Sequence, residues 1–277
     1  MELAFVEVGD RVWVCRQEWF DLNLSVVAGT ASVVVIDTGA SEHNGEALRD
    51  AVARLTPLPI RAVVNTHEHF DHTLGNAAFG EVPIVAHEVA AANTVAAAQR
   101  WIAESPHEPR IEEVRASRVL AASETFASVT VLDVGERQIE LIHPGRGHTG
   151  GDIVALVPDA SVLIAGDLIE ESAPPAYGAD SYPLEWPASL DVVTSLLPAG
   201  AVVVPGHGAV VDADFVNEQR DQIAAVAETI RSLAADGVRR DAALETGAWP
   251  FPREALRHAV ARGWSQLPRG SLRLPMA

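Results

Sequence analysis

The sequence contains no lysine, so all 20 of its basic side chains are arginine. Without lysine the chain has no amine for Schiff-base chemistry, no P-loop lysine and no lysine anchor for a substrate carboxylate. The arginines are also outnumbered, since 38 aspartates and glutamates give a formal net charge of −18. This charge opposes binding to a phosphate backbone, which requires a basic patch that releases counterions. We therefore expect a small-molecule substrate as partner and no nucleic acid.

Cysteine and long apolar runs are scarce as well. Cys15 is the only cysteine, which excludes an internal disulfide and a cysteine-ligated cluster, and its apolar neighbours favour a structural thiol. The chain has no run of about 18 apolar residues and no basic-then-apolar leader, so we expect no membrane partner and a cytoplasmic location. With 277 residues, 48% of them hydrophobic, it can bury a substantial core.

Side chains that bind metals are concentrated in one short segment. Residues 66–72 read Thr-His-Glu-His-Phe-Asp-His and follow directly after the apolar run at 62–64. Imidazole and carboxylate are ligands that zinc, iron and manganese accept. Strand ends that meet at one edge of a sheet bring such side chains into one cleft. Three further candidates each follow a predicted strand, namely His148, Asp167 and His207.

At these positions the chain resembles the metallo-β-lactamase superfamily, whose pattern is His-x-His-x-Asp-His followed by His, Asp and His. The resemblance extends from about residue 5 to residue 235. It implies an α+β fold, a four-layer αββα sandwich of two mixed β-sheets flanked by helices, with the metals at one edge. The pattern is filled by His67, His69, Asp71, His72, His148, Asp167 and His207.

The resemblance also implies two divalent metal ions. Zinc is the first expectation, and a ligand set of nitrogen and oxygen without thiolate suits iron or manganese too. The implied ligands are, for the first ion, His67, His69 and His148, for the second, Asp71, His72 and His207, and as a bridge Asp167.

From this resemblance we predict a binuclear metallo-hydrolase. A hydroxide between the ions would attack an ester, thioester or lactam carbonyl, and Asp71 would serve as a ligand that can also relay the proton. One alternative is a persulfide dioxygenase, which resembles the same pattern but binds a single iron. A second alternative is a non-catalytic metal-binding or regulatory protein.

The substrate stays open at this point. Lactonases of this pattern commonly carry a tyrosine three residues after the bridging aspartate, where this chain has Glu170. Glyoxalase II binds glutathione through lysine, arginine and tyrosine of its C-terminal helices, and the end of this chain has neither lysine nor tyrosine. Both departures lower the expectation of those two activities.

Further residues are candidates for supporting roles. Asp37 and Asp152 either hold ligand imidazoles in one tautomer or cap turns. Glu68 is expected to face solvent. Surface or turn roles are expected for His43, His87, His107, His143 and His258. The candidate substrate rim, for which core packing or a turn salt bridge is the alternative role, comprises Trp19, Phe20, Arg146, Glu170, Tyr177, Tyr182 and Trp186.

Hydrophobic periodicity and turn residues predict an alternation of strands and helices. The predicted strands cover residues 7–14, 22–28, 32–36, 61–65, 125–132, 138–142, 153–157, 161–165 and 202–204. The predicted helices cover residues 42–55, 87–101, 187–197 and 213–235. Ser41 and Asp212 are the expected caps of the first and last of these helices, and Gly237 is expected to terminate the last one.

The residues after Gly237 have a different composition, with seven arginines and three acids. We therefore predict a metallo-β-lactamase-like domain over residues 1–237 and a helical appendage over residues 238–277. This appendage is also where a homo-oligomer contact is expected. The apolar residues expected to dock it are Trp249, Phe251, Leu256, Val260 and Trp264.

Overall fold

A computed structural model describes residues 3–268, and within them the chain forms twelve β-strands and eight α-helices. The strands are β1 (Val6–Gly9), β2 (Val12–Gln17), β3 (Leu22–Ala28), β4 (Val33–Ile36), β5 (Ile60–Val64), β6 (Ile84–His87), β7 (Glu124–Phe126), β8 (Val129–Asp133), β9 (Gln138–Ile142), β10 (Val154–Val157), β11 (Val162–Glu170) and β12 (Val202–His207). The helices are α1 (Glu42–Leu55), α2 (Phe70–Thr73), α3 (Glu88–Glu104), α4 (Ile111–Ala116), α5 (Trp186–Leu196), α6 (Ala213–Ala235), α7 (Arg240–Thr246) and α8 (Arg257–Gln266). In this part of the chain no helix combines the length and the apolarity needed to cross a membrane.

The strands form two mixed halves that meet at a narrow joint. In the first half β1 to β4 pair antiparallel, and β4 to β7 continue in parallel. In the second half β12 and β11 are parallel, and β10, β9 and β8 follow antiparallel. A single antiparallel pair, His207 of β12 with Leu22 of β3, connects the halves. The joint therefore contains one of the predicted metal ligands.

Three hydrophobic clusters show that the halves lie face to face between two helical layers. Between the sheets, Val34 and Val64 of the first half pack with Leu141 and Val204 of the second. The outer face of the first half packs against α1, and that of the second packs against α5, α6 and α8. This arrangement is an αββα sandwich, so the predicted fold is confirmed.

The first and last of the predicted helices are found with the expected caps. The Ser41 hydroxyl accepts a hydrogen bond from the Asn44 amide at 3.1 Å, and the Asp212 carboxylate accepts one from the Phe215 amide at 3.0 Å. These caps satisfy amides that a helix leaves free in its first turn. Gly237 follows the end of α6 with a φ of 78°, a left-handed conformation that glycine adopts at low cost.

Two strand predictions were wrong in detail, and one strand was missed. Residues 7–14 are not one strand but the hairpin of β1 and β2, because Arg11 has a φ of 52° and reverses the chain. Residues 125–132 are divided between β7 and β8, which lie in different halves. The short strand β6 was not predicted at all. Each of these errors concerns a short segment in which a turn interrupts the apolar pattern.

The C-terminal helices pack on the same core as α6. Leu256 and Val260 are buried, and Trp249, Phe251 and Trp264 are partly buried against the cluster that α5 and α6 share. The proposed division at residue 237 stays a prediction, and its last residues, 269–277, lie outside the described part of the chain. What the structure adds is that α8 also contacts the loop at 172–185, which borders the site.

Candidate metal centre

The seven predicted ligands come together at the edge of the sandwich where the halves join. Residues 67–72 lie in the loop after β5 and in α2, and His148 lies in the loop between β9 and β10. Asp167 lies in β11, and His207 is the last residue of β12. Because β4 and β5 are parallel, as are β11 and β12, the ends of these strands deliver their side chains to the same edge.

Two glycines make room for the Asp167 carboxylate. Gly166 has a φ of 53°, and a Cβ there would lie 2.7 Å from the Cβ of Thr66. A Cβ on Gly206 would lie 1.9 Å from Oδ1 of Asp167. Both distances are shorter than any van der Waals contact. The glycines are therefore needed for the close approach of β11, β12 and the loop after β5 that contains Thr66, His67 and His69.

The ligand atoms form two groups. His67, His69, His148 and Asp167 make the first group, and Asp71, His72 and His207 make the second; within each group the atoms lie within 4.8 Å of one another. In the first group Nδ1 of His69 lies 2.8 Å from Nε2 of His148. In the second, Nε2 of His207 lies 3.4 Å from Nε2 of His72 and 3.5 Å from Oδ2 of Asp71.

Asp167 lies between the two groups. Its Oδ1 is 3.1 Å from Nε2 of His72, and its Oδ2 is 3.3 Å from Nε2 of His207. The same Oδ2 is 3.4 Å from Nε2 of His148 and 3.7 Å from Nε2 of His67. One carboxylate therefore reaches nitrogens of both groups, which is the position required of a bridging ligand.

The residues fit divalent metal ions. Ligands about 2.0–2.1 Å from a tetrahedral ion lie about 3.3 Å from each other, close to the spacings here. Nε2 of His67 is buried and has no hydrogen-bond partner among residues 3–268. A buried polar atom without a partner is costly, and a lone pair that faces other lone pairs is stabilised by a cation.

Hydrogen bonds from the outside fix the imidazole rings. Nδ1 of His148 donates to the carbonyl of Ala176 at 2.8 Å, and Nδ1 of His207 donates to the carbonyl of Phe20 at 2.7 Å. Since a carbonyl only accepts, each ring carries its proton on Nδ1 and leaves Nε2 free to face the centre.

Asp37 has the role predicted as one of its two alternatives. Its Oδ2 lies 2.8 Å from Nδ1 of His72, and its carboxylate also accepts hydrogen bonds from the amide and the hydroxyl of Thr66, each at 2.8 Å. Asp152 has the other role. Its carboxylate accepts from the amides of Gly147 and Thr149, at 3.1 and 2.9 Å, and so shapes the loop around His148 without touching an imidazole.

Asp180, which the sequence reasoning missed, holds the remaining imidazole. Its Oδ2 lies 3.1 Å from Nε2 of His69, which leaves Nδ1 of that ring to face His148. The guanidinium of Arg100 in α3 donates to the same carboxylate oxygen. The next residue, Ser181, accepts hydrogen bonds at its carbonyl from Arg262 at 3.0 Å and Gln266 at 3.1 Å, so α8 supports this loop.

Burial and neighbouring carboxylates shift the pKa values of the ligand imidazoles in opposite directions: those of His67 and His148 are lowered, and those of His69, His72 and His207 are raised. Burial lowers the pKa of His148 to about 4 and that of His67 well below its ordinary value, so both rings stay neutral and can bind a metal. Burial alone would also lower the pKa of His207, but the carboxylates of Asp167 and Asp71 raise it to about 10. A metal ion bound by His207 would therefore displace a proton from that ring.

A cavity of about 410 Å³ opens beside the ligands. Of the predicted rim residues, Phe20, Glu170 and Tyr177 line it. The other predicted rim residues do not line it, namely Trp19, Arg146, Tyr182 and Trp186.

Each of these four side chains has a partner elsewhere. The Trp19 indole donates to Glu108 at 3.2 Å. The Trp186 indole is fully buried and donates to the carbonyl of Leu168 at 3.3 Å. Arg146 forms an ion pair with Glu185 at 2.7 Å and lies 4.4 Å above the ring of Tyr182. Core packing and the turn salt bridge, which were the alternative roles, describe these residues.

The sequence reasoning missed several residues of the cavity wall. They are Phe70, Arg100, Trp101, Glu104 and Asp180. His258, expected in a surface or turn role, is exposed and also lines the cavity. The wall residues of α3 lie in an alanine-rich segment whose pattern predicts a helix but not the face that reaches the ligands.

The expectation that Glu68 faces solvent was wrong. Its side chain lies in the closed loop between His67 and His69, is 2% exposed and contacts the Asn93 amide of α3 at 3.4 Å. Burial raises the pKa of this carboxyl group. The sequence favours exposure of a glutamate, but α3 covers the loop.

The model of the metallo-beta-lactamase superfamily matches residues 18–207. The chain belongs to this superfamily. It is 26% identical over 218 residues to the metallo-beta-lactamase type 2 of Bacillus cereus, which covers 76% of this chain and 78% of that protein. The enzyme of the same name from Bacillus sp. (strain 170) matches with the same identity and coverage. Superfamily members are typically hydrolases, and this chain has two groups of residues that could hold metal.

Solved structures share the fold. The metallo-beta-lactamase from Pontibacter korlensis has a TM-score of 0.65 and 24% identity over 80% of this chain and 98% of its own. The metallo-beta-lactamase FIM-1 from Pseudomonas aeruginosa, in its mono-zinc form, has a TM-score of 0.66 and 18% identity over 80% of this chain and 95% of its own. These structures support the predicted fold, and the family model confirms the predicted superfamily.

Proposed function

We propose that this protein is a hydrolase that uses two divalent metal ions, zinc first among them, to add water to an ester, thioester or lactam carbonyl. The position of Asp167 carries the proposal, because its carboxylate lies within 3.1 to 3.7 Å of nitrogens from both ligand groups. A single ion needs no such bridge. The first ion would be held by His67, His69 and His148, and the second by Asp71, His72 and His207.

When bound, the ions supply an activated water at neutral pH and polarise the substrate carbonyl. In hydrolysis the hydroxyl of this water forms the new bond to the acyl carbon, the bond to the leaving oxygen, sulfur or nitrogen breaks, and the leaving group takes the proton. Asp71 is suited to move that proton, since its carboxylate borders both the cavity and His207. Asp37, Asp180 and the backbone carbonyls keep the imidazoles oriented throughout.

The metal content and the type of reaction are the first test. Elemental analysis of the purified protein should find two ions per chain, and the loaded protein should hydrolyse members of a panel of thioesters, lactones and β-lactams without consuming oxygen. The type 2 metallo-beta-lactamases named above make β-lactams a necessary part of the panel. One iron per chain with thiol-dependent oxygen uptake would instead indicate a persulfide dioxygenase, and loaded protein that turns over no substrate class would favour a binding or regulatory role.

The Asp71→Ala variant tests the mechanism. We expect it to lose turnover by at least about 10³-fold while its circular dichroism stays that of the parent, because the replaced carboxylate is both ligand and proton acceptor. Asp221→Ala, an exposed change on α6, is the control and should keep full activity. Retained turnover in the Asp71 variant would contradict the two-metal mechanism.

A further inference from the structure

We propose, building on the hydrolase function above, that the substrate places an uncharged or cationic apolar group, preferably aromatic, against the α3 side of the cavity. On this view Glu104 excludes substrates with a carboxylate at that end. The group in question is the one next to the reacting carbonyl. Two features of the cavity support this inference, namely its aromatic wall and the charged side chains around that wall.

The aromatic wall begins at the ligands themselves. Phe70 lies between His69 and Asp71 in the sequence, and its ring stacks on Trp101 of α3 at a centroid distance of 3.7 Å and an interplanar angle of 20°. The ring of Phe20 meets both edge-on, at 5.4 Å and 6.1 Å. All three residues line the cavity. Together they form an apolar, aromatic wall of the cavity beside the predicted ligands.

This wall is fixed in place. Trp19 stacks behind Phe20 at 5.1 Å, and its indole is bound by Glu108. Phe70 is buried in a cluster with Leu74, which directly follows α2, and with Ala98 of α3. An aromatic acyl group therefore meets a preformed surface and loses little free energy to rearrangement of the protein.

Acids predominate among the charged groups that line the cavity. Apart from the metal ligands, the cavity is lined by Glu104, Glu170 and Asp180 and by one arginine, Arg100. One guanidinium nitrogen of Arg100 is paired with Asp180, which offsets its charge. Glu104 lies one helical turn further along α3, is exposed, and has no cationic nitrogen within 4 Å among the described residues.

The two other polar groups on the wall do not provide a strong anion anchor. The Glu170 carboxylate accepts hydrogen bonds from the hydroxyl and amide of Ser172, at 2.6 and 3.1 Å. His258 is exposed at the mouth of the cavity. With no lysine in the chain and a net charge of −18, a carboxylate at the α3 side faces repulsion without a compensating ion pair.

Matched substrates test this inference. We would measure kcat/KM of the metal-loaded enzyme for phenylacetyl thioesters of N-acetylcysteamine, and for the corresponding phenyl esters, with a methyl, trimethylammonio or carboxylate group at the 4-position of the phenylacetyl ring. The methyl and ammonio compounds should exceed the carboxylate compound by at least about tenfold. Glu104→Gln should reduce this ratio, and Glu104→Arg should reduce it further.

Glu81→Gln is the matched control. Glu81 is exposed and precedes β6, which runs parallel to β5, so it lies at the sheet edge opposite the ligands. Glu81→Gln removes one negative charge, as Glu104→Gln does, but it should leave the ratio of the kcat/KM values unchanged. An unchanged ratio in the Glu104 variants, or equal reduction by Glu81→Gln, would overturn the role of Glu104.

The outcomes separate this inference from the proposed function. If the carboxylate compounds react as fast as their neutral counterparts, the hydrolase function stands and the inference on substrate charge is overturned. If His258→Gln abolishes a preference for the carboxylate compounds, that histidine is an anion anchor and the inference is overturned as well. If no ester, thioester or lactam is hydrolysed by protein shown to contain metal, the proposed function itself fails.

Discussion

Asp180 orients the predicted metal ligand His69 without being a ligand itself. It accepts a hydrogen bond from Nε2 of His69 and is held by Arg100. Burial would raise the pKa of Asp180, but hydrogen bonding to His69 and the nearby charges lower it, so it stays ionised. An ionised carboxylate is the partner that turns Nδ1 of His69 toward the ligand group.

The Asp180→Asn variant should lose affinity for metal. We expect the dissociation constant of the first ion to rise by about 10- to 100-fold, because an amide neither fixes the ring nor increases its basicity as a carboxylate does. Competition with a chromophoric chelator measures the constant, and the cobalt-substituted protein should show altered absorption bands. Asp221→Asn on α6 serves as control. Unchanged affinity and an unchanged cobalt spectrum in the Asp180 variant would remove this residue from the site.

The seven ligands could be predicted from the sequence, whereas Asp180 could not. Each ligand follows an apolar run in a recognisable order, so the pattern and the resemblance together predict the set. Asp180 lies in a proline-rich loop without periodicity, and its partner Arg100 is 80 residues away. The prediction that Glu68 is exposed was wrong for a related reason. Its burial depends on α3, which packs over the loop from a distant part of the chain.

The sole cysteine offers a test of the core. Cys15 in β2 is 1% exposed, and burial raises its pKa to about 11. Below that pH the thiol stays protonated and out of reach, so Ellman's reagent should react negligibly with the native protein and with one thiol per chain in guanidinium chloride. The unfolded sample is its own control. Rapid stoichiometric labelling of native protein at pH 8 would show that β2 opens readily.

Helix α3 begins at a cap formed by the buried His87, and its last turn lines the cavity. It carries Arg100, Trp101 and Glu104, and its first turn is capped by His87, whose Nδ1 accepts from the amide of Val89 at 3.2 Å. Nε2 of the same ring lies 3.1 Å from the carbonyl of Ala127, to which it donates. The cap therefore requires a neutral imidazole with its proton on Nε2, and protonation would replace the acceptor with a donor.

This cap should make stability depend on pH. Burial and the stacked ring of His143 lower the pKa of His87, so the unfolded chain takes up the proton first as the pH falls below about 6.5. The free energy of unfolding should decrease from there down to the lowered pKa. Asn at this position caps without titrating, so the free energy of unfolding from urea titrations should fall less steeply below about pH 6.5 in His87→Asn than in the parent protein. His43→Asn, an exposed change in α1, should leave the slope unaltered.

At the level of elements, prediction succeeded where pattern and caps agree over many residues. Helix α6 has both an apolar face and a capping aspartate, and its bounds were predicted without error. Strand β6 spans four residues after a proline, too short for a period to be recognised. Its place in the sheet comes from pairing with β5 and β7, which local sequence does not encode.

At the scale of the whole molecule, the ligands join two halves that the backbone connects weakly. One strand pair, His207 with Leu22, links the sheets. Each ligand group takes members from both halves, since residues 67–72 lie in the first and His148 and His207 in the second. Bound ions would therefore hold the halves together at this edge, while the core between the sheets holds them elsewhere.

Removal of metal should lower stability measurably. An ion present at about 100 times its dissociation constant contributes about 2.7 kcal/mol, which corresponds to several degrees in the unfolding midpoint of a chain of this size. Scanning calorimetry before and after chelation, with loss of metal verified by elemental analysis, measures the difference, and added zinc should restore it. An unchanged midpoint in protein shown to be metal-free would contradict the joining role of the ions.

The narrow joint between β3 and β12 also has a consequence for the life of the protein in a cell. Without bound ions the halves would lose the links between them at this edge, and we expect proteases to cut the metal-free protein first in the loops at 66–73 and 172–185. Abundance would then follow the metal supply even when synthesis is constant. Chains that have bound ions at this joint would then outlast chains that have not.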